Sequence, residues 1–110
     1  MSETDELYTN QALELRRGTI VLASLAALQH PHYGYALLQA LSKAGIPVDA
    51  GTLYPLLRRL EKQGVLTSNW DTSDVRPRKF YRLSETGQEL YGRLKSEWYD
   101  MHNNIDKLIR

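Results

Sequence analysis

The chain has 110 residues, of which 42% are hydrophobic and 25% are charged, and its formal net charge is +1, so we expect a single soluble globular domain. It contains no cysteine, which excludes disulfides, thiol sensing and thiolate metal sites. No apolar run approaches the roughly 18 residues of a membrane span, and the first residues lack the cationic start and apolar run of a secretory signal, so we expect a cytoplasmic protein with no membrane partner.

The first part of the chain is predicted to form two helices. Residues 1–6 are polar, and we expect them to be frayed. From Leu7 to Gln29 the apolar residues recur at helical spacing and become dense after Gly18, which predicts one helix whose second half is packed on most sides. Pro31 ends it, because proline disfavours the helical conformation in the residue before it. A shorter second helix is predicted from Gly34 to Ala44.

The third predicted helix is the most informative segment. Asp49 or Thr52 can cap its start, and Pro55 favours the later start at Thr52, because proline is tolerated in a first helical turn. Gly64 ends the helix. At about 100° per residue one face is apolar, and it consists of Leu53, Leu56, Leu57 and Leu60. The opposite face carries small or basic residues, namely Gly51, Pro55, Arg58 and Lys62. A helix of this kind can lie in a DNA groove.

A basic hairpin follows this helix. Residues 65–70 are rich in β-branched and aromatic side chains and residues 78–83 alternate, so both segments are predicted strands joined by a polar turn. Three cations lie on the descending side of the tip, where Pro77 restricts the backbone, and they are Arg76, Arg78 and Lys79. Projecting cations suit a phosphate clamp or a minor-groove probe, and an ordinary solvated turn is the alternative.

The last predicted helix carries an apolar seam. Its start is Ser84 or Thr86, where Thr86-x-x-Glu89 matches a capping box. Apolar residues then recur at intervals of 4, 3, 4 and 3, at Leu94, Trp98, Met101, Ile105 and Leu108. This is a heptad-type pattern along a helix of roughly 36 Å. So short a chain has too little surface of its own to cover the seam, which favours a homodimer over packing within one chain.

The order of three helices and a two-stranded hairpin is that of a winged helix-turn-helix. We predict an α+β, mostly helical fold, with a DNA-binding domain over residues 1–83 and a C-terminal dimerisation helix over residues 84–110. The recognition helix of such a domain enters the major groove, where Arg58 could donate to a guanine and Lys62 to a phosphate. Two residues near the start of that helix could also contact phosphates, and they are Thr52 and Tyr54. A merely solvated amphipathic helix is the alternative.

Four motifs occur in order along residues 7–110. They are Arg17-Gly18 with Leu22 and Leu25, His32-Tyr33-Gly34-Tyr35-Ala36-Leu37, Gly51-Thr52-Leu53-Tyr54-Pro55-Leu56-Leu57-Arg58-Arg59-Leu60-Glu61, and Arg78-Lys79-Phe80-Tyr81-Arg82-Leu83-Ser84-x-x-Gly87. Together they make the chain resemble the PadR family of bacterial transcription regulators, in its compact form with a single C-terminal helix.

The resemblance carries expectations for particular residues. It implies that Thr52, Tyr54 and Pro55 begin the recognition helix. It also implies that Tyr35 opens the second helix near the DNA backbone, and that the wing includes Arg78 and Lys79. A homodimer is implied in which the last helix packs against the first and last helices of its partner. The family's usual repressor role, on an inverted-repeat operator in double-stranded DNA, would then apply.

Trp98 has two interpretations. A tryptophan is usually a core residue. In multidrug-sensing members of the family that the chain resembles, a tryptophan at the matching place in the last helix lines a cavity at the dimer interface, where planar aromatic ligands stack. The resemblance therefore implies that Trp98 binds a planar aromatic small-molecule effector.

No catalytic, metal or cofactor site is predicted. His30 and His32 lie in a proline-containing turn far along the chain from His102, and without carboxylate or thiol neighbours they make a weak metal site. No nucleophile elbow or phosphate-cradling glycine loop is present. Two alternatives to a DNA-binding regulator remain at this point: a winged-helix protein-interaction module, and a small-molecule-binding protein without a DNA role.

Overall fold

The computed structural model describes residues 2–110. Over that range the chain forms five helices and three strands: α1 (Glu3–Arg17), α2 (Thr19–Ala27), β1 (His32–Tyr33), α3 (Gly34–Lys43), α4 (Ala50–Lys62), β2 (Leu66–Asp71), β3 (Arg78–Leu83) and α5 (Glu85–Ile109). The strands form one antiparallel sheet in the order β1-β3-β2. Helices α3 and α4 are the helix-turn-helix and β2–β3 is the wing, so the predicted fold class is confirmed.

The start of the chain is helical, and the prediction of frayed residues 1–6 is wrong for the described ones. Helix α1 begins at Glu3 because two hydrogen bonds form a capping box. The Ser2 hydroxyl accepts from the Asp5 amide at 3.1 Å, and the Asp5 carboxylate accepts from the Ser2 amide at 3.1 Å. Met1 lies outside the described residues.

The single helix predicted from Leu7 to Gln29 is in fact two helices. Helix α1 ends at Arg17 and α2 begins at Thr19, whose hydroxyl donates to the Arg16 carbonyl at 2.7 Å. Gly18 joins the two helices and itself has helical backbone angles. The helical spacing of the apolar residues therefore continues across the break, and the sequence does not reveal it. Only α2 contributes buried residues, whereas α1 contributes none.

The recognition helix α4 begins earlier than predicted. Asp49 caps it, since its carboxylate accepts the Thr52 amide at 2.7 Å, and the later start at Thr52 is wrong. Pro55 therefore lies inside the helix. Because proline has no backbone N–H, the Gly51 carbonyl, four residues earlier, lacks its usual helical hydrogen bond. Gly51 is exposed, so water can satisfy that carbonyl. The end of the helix is as predicted, with Gly64 at φ +80° beyond it.

The sheet contains one strand that was not predicted. Strand β3 has the predicted bounds, and β2 lies one residue later than expected. The additional strand, β1, has only two residues, too few for an alternating pattern to reveal it. It pairs with β3 so that Tyr33 lies opposite Phe80, and the two rings meet edge to face with centroids 5.3 Å apart. This pairing joins the start of α3 to the wing.

The hydrophobic core lies between α2, α3, α4, the wing and the start of α5. It consists of ten leucines and two other residues: Leu25, Leu28, Leu37, Leu41, Leu53, Leu56, Leu57, Leu60, Val65, Leu66, Tyr81 and Leu83. The apolar face of α4 is thus buried as predicted. Among residues 2–110, no helix is both long enough and apolar enough to cross a membrane.

The start of α5 is tied to the junction between α4 and β2. Ser84 caps the helix, which confirms the first of the two predicted starts, whereas the alternative start at Thr86 with its capping box is wrong. The Ser84 hydroxyl donates to the Gly64 carbonyl at 2.5 Å, and the Ser84 amide donates to the Val65 carbonyl at 3.0 Å. Gly87 packs so closely here that a Cβ at this position would lie 2.1 Å from the Val65 carbonyl oxygen. The first turn of α5 is therefore fixed on the winged helix-turn-helix.

Candidate nucleic-acid interface

The exposed side of α4 is the centre of the candidate interface. Its buried leucines fix the helix on the core, and the opposite face presents five exposed residues: Gly51, Thr52, Pro55, Arg58 and Lys62. Neither Arg58 nor Lys62 has an acidic partner within 4 Å among residues 2–110. Their charges are therefore available to an anion approaching from solvent.

One flank of α4 forms a groove with the start of α3 and the wing, which we call the wing-side groove. It has a volume of about 320 Å³. Its lining is aromatic and basic, and consists of Tyr33, Gly34, Tyr35, Tyr54, Arg58, Trp70, Arg78, Lys79 and Tyr81. Five of the nine predicted DNA-binding residues thus lie together, from three different elements: Tyr35, Tyr54, Arg58, Arg78 and Lys79.

Gly34 allows the recognition helix to approach the start of α3. A Cβ at Gly34 would lie 2.9 Å from Cε1 of Tyr54, closer than ordinary van der Waals contact. The Tyr54 ring therefore rests against the bare backbone of α3. Tyr35, one residue further on, is exposed beside it. This contact holds α3 and α4 together at Gly34 and Tyr54, although the two residues are 20 positions apart in the sequence.

Lys79 is held by the recognition helix. Its ammonium nitrogen lies 2.9 Å from Oε1 of Glu61 and 5.2 Å from the centre of the Tyr81 ring. The same Glu61 carboxylate accepts a hydrogen bond from the Ser68 hydroxyl of β2. The hydrogen bonds from Ser68 and Lys79 hold the pKa of Glu61 below its ordinary value, and the bond to Glu61 raises the pKa of Lys79. The cluster of Glu61, Ser68 and Lys79 links α4 to both wing strands.

The tip of the wing carries mixed charges. Arg78 lies over the Tyr33 ring, 4.9 Å from its centre, and its guanidinium is 3.4 Å from the Asp74 carboxylate. Asp71 accepts from the hydroxyl and the amide of Ser73, and these bonds lower its pKa. Arg76 is exposed at the tip and has no acidic partner within 4 Å among residues 2–110. Arg76 is therefore unpaired among the described residues, whereas Arg78 shares its charge with an exposed carboxylate.

The other flank of α4 forms a second groove, which we call the far-side groove. It has a volume of about 200 Å³ and is lined by Arg17, Ile20, Val21, Thr52, Pro55, Leu56 and Arg59. The structure thus separates the predicted residues Thr52 and Pro55 from those in the wing-side groove. The Thr52 amide is already bonded to the Asp49 carboxylate, so only the hydroxyl of Thr52 is open to a phosphate.

Two apolar grooves flank Trp98 between α2 and α5. The first, the Lys95 groove, is about 340 Å³ and is lined by Thr19, Leu22, Ala23, Ala26, Ile46, Tyr91, Lys95, Trp98 and Tyr99. The second, the Glu97 groove, is about 410 Å³ and is lined by Leu15, Gly18, Thr19, Val21, Leu22, Leu94, Glu97, Trp98 and Met101. Trp98 is 40% exposed and stacks on the His102 ring with the centroids 5.4 Å apart. Within this single chain Trp98 is therefore not a core residue.

The predicted heptad seam is mostly open to solvent. Leu94 is half-buried, whereas four further residues are exposed by 40–86% of their surface, namely Trp98, Met101, Ile105 and Leu108. Helix α1 is also rich in exposed apolar side chains, and these are Leu7, Tyr8, Leu13 and Leu15. Apolar surfaces of this size on two helices of a small protein are typical of an interface with another protein chain.

The whole chain is similar in sequence and structure to known regulators. The model of the transcriptional regulator PadR-like family matches residues 21–93. The chain belongs to this family. Transcriptional regulator Rv3488 of Mycobacterium tuberculosis is 40% identical over 76 residues, which are 68% of this chain and 71% of the relative. The crystal structure of a PadR family regulator from Eggerthella lenta is 43% identical, with a TM-score of 0.91 and coverage of 97% of this chain and 96% of that one.

A further structure supports the same assignment. A PadR-like regulator from Bacillus cereus is 27% identical, with a TM-score of 0.81 and coverage of 88% of this chain and 97% of that one. PadR-like proteins are DNA-binding transcription regulators and not enzymes. The recognition of this family from four sequence motifs is thus confirmed.

Sequence reasoning missed three residues of the candidate interface. Trp70 is 64% exposed and lines the wing-side groove, and alternation along β2 would have placed it there if the register of the wing had been known. Tyr33 supports Arg78 from the unpredicted strand β1. Arg59 lines the far-side groove, and its position on the helical wheel next to Thr52 was a usable signal. Over residues 2–110 no group of three His, Asp or Glu side chains could hold a metal ion.

Proposed function

We propose that this PadR-like regulator is a homodimeric repressor that binds an inverted-repeat operator and is released by a planar aromatic small molecule. The observation that carries the DNA half of the proposal is the wing-side groove, in which tyrosines and cations from α3, α4 and β3 lie beside an exposed recognition helix. Arg58 and Lys62 then enter the major groove with α4, and the wing with Arg76 and Arg78 contacts the adjoining backbone or minor groove.

DNA binding is tested with a mobility-shift titration on the DNA upstream of the coding region, with unrelated DNA as competitor. We expect submicromolar binding that survives the competitor, and a footprint with half-sites about one helical turn apart. Arg58→Ala should cost about 1–3 kcal/mol on the operator and relax its specificity. Arg93→Ala is the matched control, because this exposed arginine lies on α5 outside both grooves of α4. Binding that any competitor removes would contradict a specific operator.

The exposed apolar faces of α1 and α5 support the homodimer. Burial of apolar surface contributes roughly 25 cal/mol per Å², so pairing these faces across a two-fold axis would stabilise both copies. Ile105→Glu places a charge within the seam, and we expect monomers by sedimentation analysis. Asn104→Glu, one residue away, is the control that keeps the dimer if the seam is the interface. Equal behaviour of the two variants would place the interface elsewhere.

The grooves on both sides of Trp98 support an aromatic effector. They are lined mainly by apolar and aromatic side chains, with one cation in the Lys95 groove and one anion in the Glu97 groove. We expect anilinonaphthalene sulfonate, an aromatic probe, to bind and to quench Trp98 in a Trp70→Phe background. Trp98→Ala should weaken the binding, because the variant loses the buried area of the ring together with a stacking contribution of about 0.5–1.5 kcal/mol. Undiminished binding in that variant would exclude Trp98 from the effector site.

A further inference from the structure

Helix α4 has two flanks, and only one of them faces the wing. Glu61 lies on the wing flank, since its carboxylate is 2.9 Å from Lys79 of β3. Tyr54 is seven residues earlier, almost two full turns, and so lies on the same flank. Thr52 and Arg59, which are also seven residues apart, lie about 150° away around the helix axis and line the far-side groove.

The width of the major groove decides what the far flank meets. An α-helix with its side chains is about 10–12 Å across, and the major groove of B-DNA is about 12 Å wide. A helix inserted there has a phosphate backbone on each side. If the wing flank follows one backbone, the far flank faces the phosphates of the opposite strand.

The far-side groove contains two cations from different elements. Arg59 projects from α4 and Arg17 from the last turn of α1, so they approach the groove from both sides. Arg59 has no acidic partner within 4 Å among residues 2–110. Arg17 lies 3.2 Å from Glu14, but these side chains are 72% and 60% exposed, and such surface pairs yield readily to a phosphate.

The remaining polar groups of this groove fit an anion as well. The Thr52 hydroxyl is the neutral donor beside the two guanidinium groups. The carboxylate of Asp49, which caps α4, already accepts a hydrogen bond from the Thr52 amide at 2.7 Å. Arginine is suited to this task, because its planar group donates two hydrogen bonds to one phosphate.

We infer that Arg17 and Arg59, with the Thr52 hydroxyl, form a phosphate-binding site for the DNA strand that the wing does not reach. The inference rests on the proposed DNA contact of α4 and adds to it a residue of α1, which sequence patterns do not connect with DNA. A site for phosphates contributes affinity without sequence preference, and each neutralised phosphate adds about 0.9 to the slope of log K against log salt.

The test compares the salt dependence of DNA binding in single variants. Binding of the operator and of a random duplex is followed by fluorescence anisotropy from 50 to 200 mM salt. Arg17→Gln and Arg59→Gln should each lower the slope by about 0.9. Between 50 and 200 mM salt, the loss of affinity of each variant should therefore be about threefold smaller than the loss of affinity of the unchanged protein. Both duplexes should be affected equally. Arg59→Lys should retain the slope, because it keeps the charge.

Arg16→Gln is the matched control, since Arg16 is the exposed neighbour of Arg17 but does not line the groove. An unchanged slope in Arg17→Gln and Arg59→Gln would overturn the inference, and so would an equal loss in Arg16→Gln. In either case, loss of specificity in Arg58→Ala would show that the proposed function still stands. If the unchanged protein binds neither duplex at 50 mM salt, the proposed function fails and the inference fails with it.

Discussion

Two glycines of α5 allow a direct test of how this helix is attached to the DNA-binding domain. A Cβ at Gly87 would lie 2.1 Å from the Val65 carbonyl oxygen, whereas a Cβ at Gly92 would meet no neighbouring atom within 4 Å. Both glycines are in the same helix, so alanine brings the same gain in helix propensity at each position. Only Gly87→Ala forces α5 away from the junction between α4 and β2.

The size of the effect follows from the contacts that would separate. Accommodating the methyl group requires a movement of about 1 Å, since ordinary contacts begin near 3.4 Å. Overpacking of this kind costs about 1–3 kcal/mol, and each of the two hydrogen bonds from Ser84 to the junction contributes about 1 kcal/mol. Alanine returns about 1 kcal/mol through propensity. Gly87→Ala should therefore destabilise by about 2–4 kcal/mol, and Gly92→Ala should stabilise by up to about 1 kcal/mol.

The assay is urea unfolding followed by circular dichroism at one fixed protein concentration, because the apparent stability of the proposed dimer depends on concentration. The expected difference between the two variants is about 3–5 kcal/mol, a large part of the 5–15 kcal/mol typical of a folded domain. Free energies of unfolding that agree within 1 kcal/mol would refute the reasoning, since the close contact at Gly87 would then not hold α5 in place.

Three further predictions concern the recognition helix. Because the pKa of Glu61 is lowered in the folded protein, its ion pair with Lys79 is fully present above the ordinary carboxyl pKa and is lost as the pH falls through the lowered value. Glu61→Gln should thus destabilise the protein by about 1 kcal/mol at pH 7, and its melting temperature should fall less steeply at acid pH than that of the unchanged protein. An equally steep fall at acid pH would contradict this. Asp49→Ala removes the cap of α4 and should lower the free energy of unfolding in urea by about 1 kcal/mol. An unchanged free energy of unfolding would mean that the Asp49 carboxylate does not stabilise the start of the helix. Gly34→Ala should displace the Tyr54 ring and weaken operator binding about fivefold by anisotropy with the helical content retained, and unaltered affinity would exclude Tyr54 from the contact.

The sequence predicted those elements whose pattern is both strong and local. The apolar face of α4, the strand β3 and the long helix α5 all repeat over six residues or more, so periodicity identified them. The break at Gly18 could not be seen in this way, because the residue keeps helical backbone angles and the apolar pattern continues across it. Strand β1 is too short to have a period at all.

The candidate site shows a similar limit. The basic and aromatic residues were found from helical spacing, the hairpin pattern and the family resemblance, but their partners depend on tertiary structure. Lys79 was predicted as a DNA contact and stays a prediction, although in the folded chain its charge is bound to Glu61, 18 residues earlier. The predicted start of α4 was wrong because the tolerance of proline in a first helical turn was given more weight than a stronger local signal. That signal is the Asp49 carboxylate, which accepts a hydrogen bond from the backbone amide three residues later.

The effector proposal can be tested by measuring how the operator changes the affinity of the protein for the effector. If an aromatic compound beside Trp98 weakens operator binding tenfold, saturating operator must weaken binding of the compound tenfold, because one coupling free energy of about 1.4 kcal/mol governs both. Helix α5 is a physical route for such coupling, since it lines both apolar grooves and its first turn, at Ser84 and Gly87, is fixed next to α4. Calorimetric titration of the compound with and without operator measures the factor directly. A compound that binds equally well in both titrations has no differential affinity for the DNA-bound form and cannot release the regulator, however tightly it occupies the grooves.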